Sequence, residues 1–175
     1  MNLIFPYDES KLKPYLKMAA KRIQIANSKR SAHSKHGKRE IAKLMEEGKV
    51  EKAIIKVEHI IRDDFTMEAY EIIELMCELV HERAKHLSNH PECPVDLMEA
   101  VTTVLWASTR VDISELEGAR KQLVKKYGKE FFEMANNNEG HSVNSRVVHK
   151  LNIAPPEPLL IRKYLKEIAA EYNVG

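Results

Sequence analysis

The chain has 175 residues, 43% of them hydrophobic, with six Gly and seven Pro, enough to bury one sizeable core and consistent with a single domain over residues 1–175. Its formal net charge of +2 conceals a strong polarity, because residues 11–39 hold ten Lys or Arg and no acid, whereas residues 63–99 hold ten acids against Arg83 and Lys85. No window reaches the roughly 18 consecutive apolar residues of a membrane span, the opening Met1-Asn-Leu-Ile-Phe-Pro lacks the charged start and apolar run of a signal peptide, and Cys77 and Cys93 form no disulfide framework, so a cytoplasmic, reducing setting is expected.

Apolar residues recur at Leu12, Leu16, Ala19, Ile23, Ala26, Ile41 and Leu44, a helical spacing that predicts one helix about 50 Å long. Glu47-Gly48-Lys49 is the first turn signal. Beyond it Ala53, Val57, Ile61, Phe65, Ile72, Leu75 and Leu79 continue the spacing to about His86, and two long helices joined by a short turn make an antiparallel hairpin. The loop Ser88-Asn-His-Pro-Glu-Cys-Pro94 ends it. A third helix is expected over 95–107, a fourth over 112–135 and a short one over 143–151. The loop Ala154-Pro-Pro-Glu-Pro158 then precedes a last helix to about Tyr172, with Pro158 suited to its first turn. No strand pattern interrupts this series, so the fold class is all-α.

Within the second helix, Lys56-Val-Glu-His-Ile-Ile-Arg-Asp-Asp-Phe65 crowds acids, a histidine and an arginine into one stretch. At 100° per residue they separate: Val57, Ile60 and Ile61 share a face with Asp64 and Glu68, whereas Glu58, His59, Arg62 and Asp63 point away. Acids on an inward face are costly unless paired. A hairpin tip at Gly48 brings Arg30 opposite residue 66, so Arg30 with Asp64 and Glu68 is the expected lock on hairpin register.

Metal and enzyme chemistry find little support. Glu78-Leu-Val-His81 has the Glu-x-x-His form used by di-iron bundles, which need a second such pair, and none exists. His86, His90 and Cys93 approach zinc-ligand spacing, but a Pro-containing loop divides them and no fourth ligand follows. With no phosphate-binding loop or nucleophile motif, no catalytic residue, metal or cofactor is expected. The acid-free first helix is the sharper signal: Lys13, Lys17, Lys21, Lys35, Lys38 and Arg39 form a basic strip beside the apolar stripe. Such a strip suits an anionic partner, either a membrane surface or an acidic protein surface such as a filament contact. Nucleic acid is not expected, since no aromatic side chains interleave with the charges.

Several segments together resemble the increased-sodium-tolerance family of ESCRT-III-related proteins: Lys56 to Phe65, Glu71-Ile-Ile-Glu-Leu75, Thr103-Val-Leu-Trp-Ala107, His149-Lys-Leu151, Tyr164-Leu-Lys-Glu-Ile-Ala169 and Tyr172-Asn-Val174. The resemblance runs through nearly the whole chain. It implies a long helical hairpin with shorter helices packed back on it, and a filament subunit and regulator of membrane remodelling in multivesicular body sorting and cytokinetic abscission, recruited from the cytoplasm to endosomal membranes and the midbody. It also implies two partners: ESCRT-III subunits of the charged multivesicular body protein type, and an AAA ATPase engaged through C-terminal motifs that are absent before Gly175. In that family the last segment closes back on the hairpin. Its stripe of Ile161, Tyr164, Leu165, Ile168 and Tyr172 therefore either packs there or borders a groove for a partner's amphipathic helix, with Tyr164 and Tyr172 at the rim. The contrasting reading is a basic helical-bundle adaptor that binds anionic lipid or another polyanion without polymerising.

Overall fold

The computed structural model describes residues 6–152 and 154–175; the signal-peptide question raised on Met1 to Phe5 lies outside them. Two long helices dominate, α1 (Glu9–Glu46) and α2 (Val50–Glu82). Asp8 caps the first, its Oδ1 accepting from the Ser10 amide at 2.9 Å and the Ser10 hydroxyl at 2.6 Å, which satisfies a donor that has no partner inside the helix. Leu12, Leu16, Ala19 and Ile23 of α1 and Ala53, Val57 and Ile61 of α2 are wholly buried, as their spacing requires. At the turn Gly48 adopts a φ of 75°. The Lys49 amide bonds to the Leu44 carbonyl at 2.8 Å and the Gly48 amide to Met45 at 3.1 Å, the paired bonds of a glycine-terminated helix. Gln24 and Glu74, and separately Glu40 and Lys56, stand nearly equidistant from this tip and bond across the hairpin.

The expected elements follow with three corrections. First, the apolar line along α2 shifts after Phe65: Ala69, Ile73, Cys77 and Val80 are buried, whereas Leu75 and Leu79 are exposed. Second, α2 ends at Glu82 rather than near His86, and a short α3 (Ala84–Ser88) follows. Third, the helix expected over 112–135 is two, α5 (Glu115–Tyr127) and α6 (Lys129–Asn136), meeting at Gly128. The φ of 95° there is open to glycine and strained for other residues. A single 3-10 turn at Val95–Leu97 leads into α4 (Met98–Ser108); α7 (Ser145–Lys150) and α8 (Pro158–Glu171) complete the series, with Pro158 in the first turn of α8. Among the described residues there is no strand.

The chain forms two compact units, and both take segments of the long helices: one runs through Ile25 and from Ala69–His149, the other comprises Ala26–Glu68 and Lys150–Gly175. The first is built around α4, which packs on α5 and α6 and is buried at every position from Ala100 to Ala107. A helix apolar all round belongs in a core, and its two buried polar groups are partnered. The Thr102 hydroxyl donates to Met98 O at 2.8 Å and accepts from Ser142, and the Thr103 hydroxyl accepts from the Asn144 amide at 2.9 Å. Arg110 lies 4.2 Å over the Trp106 ring and donates to Asn136, tying the end of α4 to the end of α6. At Gly118 a Cβ would meet the Tyr15 ring at 2.4 Å, so α5 approaches α1 closely there.

The second unit has a smaller core. Ile41, Ala42, Ala53, Val57 and Ile60 of the hairpin bury Ile168 of α8 among them. Ile161, Tyr164, Leu165 and Tyr172 pack against that cluster and remain half-buried.

Candidate functional site

The stripe predicted on the last helix is the seam of the second unit. Ile168, 2% exposed, is core; Ile161, Tyr164, Leu165 and Tyr172 line the edge of the seam with part of each side chain open to solvent. Tyr164 carries the main polar tie, its hydroxyl donating to Asp64 Oδ2 at 2.7 Å. Burial, and then the Asp64 carboxylate beside it, raise the Tyr164 pKa above its ordinary value, because both favour the neutral phenol. One turn further on, Lys150 Nζ lies 3.8 Å from Glu68 and 4.1 Å over the Phe65 ring.

Asp64 and Glu68 were expected opposite Arg30 as a lock on hairpin register. Both are half-buried, and the structure joins them to the C-terminal segment, Asp64 to Tyr164 and Glu68 to Lys150. Arg30 Nη1 lies 3.5 Å from Asn27 Oδ1 on its own helix, and Asn27 reaches across to the Met67 carbonyl at 3.1 Å. Arithmetic along the hairpin compares only the two hairpin helices, and the ties of Asp64 and Glu68 to Tyr164 and Lys150 come in addition to whatever it pairs.

Of the basic strip, Lys17, Lys21, Lys35 and Arg39 are exposed, and Lys13 and Lys38 are half-buried. Lys17 and Lys21 form one wall of a groove of about 390 Å³ whose other wall is Glu78, His81 and Glu82. The positive potential at that end therefore meets nearby acids. In the second unit His33, His36, Glu40, Lys56, His59 and Asp63 line a smaller cleft, in which Glu40 binds both His36, at 2.9 Å, and Lys56. Hydrogen bonding and the charge of Lys56 hold the Glu40 carboxyl below its ordinary value.

The residues considered for metal binding have other company. His86 and His90 meet at a tilt of 54° with ring centroids 4.4 Å apart, and His90 Nδ1 is 2.8 Å from the His86 carbonyl. Burial pushes the Cys93 thiol up to about 11 and the Cys77 thiol up to about 12, so without a metal both rest as neutral thiols. Among the described residues no group of three or more His, Cys, Asp or Glu is arranged to hold a metal ion, and no helix is long and apolar enough to cross a membrane.

Sequence reading also missed the tie between α1 and α5. Arg22 Nε donates to Glu115 Oε2 at 2.6 Å, and the Glu115 side chain is only 8% exposed. Burial opposes its charge, yet bonds from its own amide and from Arg22, with the Arg22 charge, hold the carboxyl below its ordinary value. The signal was present as an acid in the first turn of α5, where it also suits the positive helix end.

The chain as a whole is similar to known proteins. The family described as "Ist1: Regulator of Vps4 activity in the MVB pathway" matches residues 13–175. An IST1-like protein of Dictyostelium discoideum is 41% identical over 96% of this chain and 46% of its own length. The vacuolar protein sorting-associated protein IST1 of Saccharomyces cerevisiae is 32% identical over 94% of this chain and 58% of its own. The chain thus spans about half the length of these curated relatives. In three dimensions it is similar to the N-terminal domain of S. cerevisiae Ist1, solved in complex with the Did2 MIM motif. The TM-score is 0.88 at 30% identity, covering 98% of this chain and 95% of that one. Sequence, hairpin and docked last helix agree, and the chain belongs to the Ist1 family.

Proposed function

We propose that the chain acts as one ESCRT-III-like module, a filament subunit and regulator that binds ESCRT-III subunits of the charged multivesicular body protein type. Its proposed setting is membrane remodelling in multivesicular body sorting and cytokinetic abscission, with recruitment from the cytoplasm to endosomal membranes and the midbody. The observation that carries this reading is the likeness, over nearly the whole chain, to an Ist1 domain solved with the MIM motif of Did2. The partner's amphipathic helix would lie along the flank of α8, where Ile161, Leu165 and the rims of Tyr164 and Tyr172 are half-open beside the buried Ile168. The AAA ATPase is the second proposed partner, through C-terminal motifs of the family type that residues 1–175 do not contain. Lys13, Lys17, Lys21, Lys35, Lys38 and Arg39 are the proposed contact with an anionic membrane. The acid-free run over 11–39 also favours a second reading, a basic adaptor that binds lipid without polymerising.

Co-sedimentation with a subunit of the charged multivesicular body type, with and without acidic liposomes, separates the two. A filament subunit pellets with its relative when liposomes are absent; an adaptor pellets only when they are present. For the groove, a C-terminal helix peptide of that subunit is titrated against wild type, Tyr172→Ala and Tyr164→Phe, the last of which keeps the ring while removing the Asp64 bond. Unchanged affinity in both variants places the peptide elsewhere.

A further inference from the structure

One polar cluster on the second unit belongs neither to the basic strip nor to the seam of α8. On α1, Lys29, His33, His36 and Glu40 fall on one helix face at steps of four, three and four. On α2, Lys56, His59 and Asp63 share a face at steps of three and four. The bond from Lys56 to Glu40 sets the register, which brings His36 level with His59 and His33 level with Asp63. The helices run close together here, since a Cβ on Gly37 would lie 2.7 Å from Ile60 Cδ1. The floor is therefore tight and apolar, and the polar side chains stand along its two walls.

Two adjoining clefts share His33, His59 and Asp63 and differ in charge. In the one nearer the hairpin tip, Glu40 is bound by both His36 and Lys56, so its charges are already matched. The other, of about 560 Å³, is lined by Lys29, Arg30, His33, His59 and Asp63, all within the second unit. Two fixed positive charges and two imidazoles there face a single half-buried carboxylate. Arg30 Nη1 lies 3.5 Å from Asn27 Oδ1, and a guanidinium carries five N–H donors, enough to serve a ligand as well.

Cations gathered around one acceptor fit a small ligand that carries phosphates and hydroxyls together. Arginine and lysine supply charge-assisted donors to phosphate, protonated imidazoles add further donors, and a carboxylate accepts from a hydroxyl. A bare anion would use the cations and be repelled by Asp63; a phosphorylated polyol uses both. We infer that this cleft binds an inositol phosphate, free or as the headgroup of a lipid, with Lys29, Arg30, His33 and His59 on the phosphates and Asp63 on a ring hydroxyl. Histidine changes charge in the physiological range, so binding strengthens as pH falls from about 8 to about 6.5, where a phosphate monoester still keeps most of its charge. Lysine and arginine stay charged across that interval, so a strip made of them has no such dependence. The inference goes beyond the filament reading and does not need it.

The probe is inositol 1,4,5-trisphosphate, titrated calorimetrically into the chain at low ionic strength. Wild type binds it about fivefold more tightly at pH of about 6.5 than at about 8, and binds inorganic phosphate at least about tenfold more weakly. His33→Gln with His59→Gln, at exposed positions and checked for helix content by circular dichroism, binds about tenfold more weakly at the lower pH and loses the pH dependence. Lys29→Gln weakens binding about fivefold at both pH values. Lys17→Gln with Lys21→Gln, which alters the basic strip alone, leaves it unchanged. Absence of binding at about 1 mM trisphosphate, a histidine variant that binds like wild type, or an equal loss in the strip variant overturns the proposal. Vesicles bearing phosphatidylinositol 4,5-bisphosphate, set against phosphatidylserine vesicles of equal charge, then separate the two sources. A preference for the first that the histidine variant removes assigns the lipid headgroup; binding of the soluble trisphosphate without that preference assigns the free inositol phosphate. Co-sedimentation of the histidine variant with a charged-multivesicular-body-type subunit reports on the filament reading separately.

Discussion

The two compact units use the same long helices and hold themselves together differently. In the first, α4 is enclosed on all sides, its threonine hydroxyls are partnered, and α5 is tied to α1 by an ion pair whose acid is buried. In the second, one helix lies along the hairpin tip with a single fully buried side chain, Ile168, and a tyrosine hydroxyl on a half-buried carboxylate. The difference is one of redundancy. A core with many buried residues loses one of them and stays folded, whereas a seam with one fully buried anchor and a half-buried rim loosens when that anchor is cut back.

The largest expected effect tests the first half of the contrast. Leu105→Ala, at a wholly buried position of α4, should lower global stability by about 4 kcal/mol, read as a shift of the denaturant midpoint with α8 still docked at low denaturant. Ile168→Ala should cost about 3 kcal/mol and act locally, raising amide exchange along α8 and the hairpin tip while the amides of α4 stay protected. Faster exchange spread evenly over the molecule would erase the distinction between the units.

Two smaller effects separate the polar ties by pH. The Glu115 carboxyl is held below its ordinary 4.5, so its contribution is present above that value and is lost as pH falls through the depressed folded value. Arg22→Ala should cost about 1.5 kcal/mol at neutral pH and flatten the acid limb of stability. Tyr164 behaves in the opposite sense. Its pKa is raised above 10.0, so the tie is complete below that pH and is lost as pH rises beyond it. Tyr164→Phe should cost about 1 kcal/mol and remove the alkaline loosening of α8, followed by exchange at its amides. An alkaline transition that persists in Tyr164→Phe assigns it to another group.

Much of this contrast could be read from the sequence, and the remainder has identifiable causes. The hairpin was legible because Leu12, Leu16, Ile23, Val57 and Ile61 report burial through spacing alone, and the turn because Gly48 follows a helix and precedes another. The corner at Gly128 was also written in the sequence, as Lys125-Lys126-Tyr127-Gly128 is a basic last turn followed by glycine, but continuous apolar spacing on either side masked it. Leu75 and Leu79 misled in the other direction, since periodicity says which residues share a face and not which face is covered. The candidate site was least legible. Tyr164 and Asp64 are 100 residues apart, and no local pattern names a partner at that distance.

That separation also sets an order of events. The hairpin closes over a three-residue turn, so the contacts nearest the tip are local and are expected to form early. The seam has to wait, because Ile168 and Tyr164 meet the tip only after a loop of about a hundred residues has been closed. During synthesis the trough of Ile41, Ala42, Ala53, Val57 and Ile60 is complete long before Pro158 leaves the ribosome. For that interval the nascent protein presents an apolar slot shaped for a helix, which another helix can occupy before its own arrives. The second unit is thus expected to be finished last, with its own helix competing for the slot against any amphipathic helix at hand.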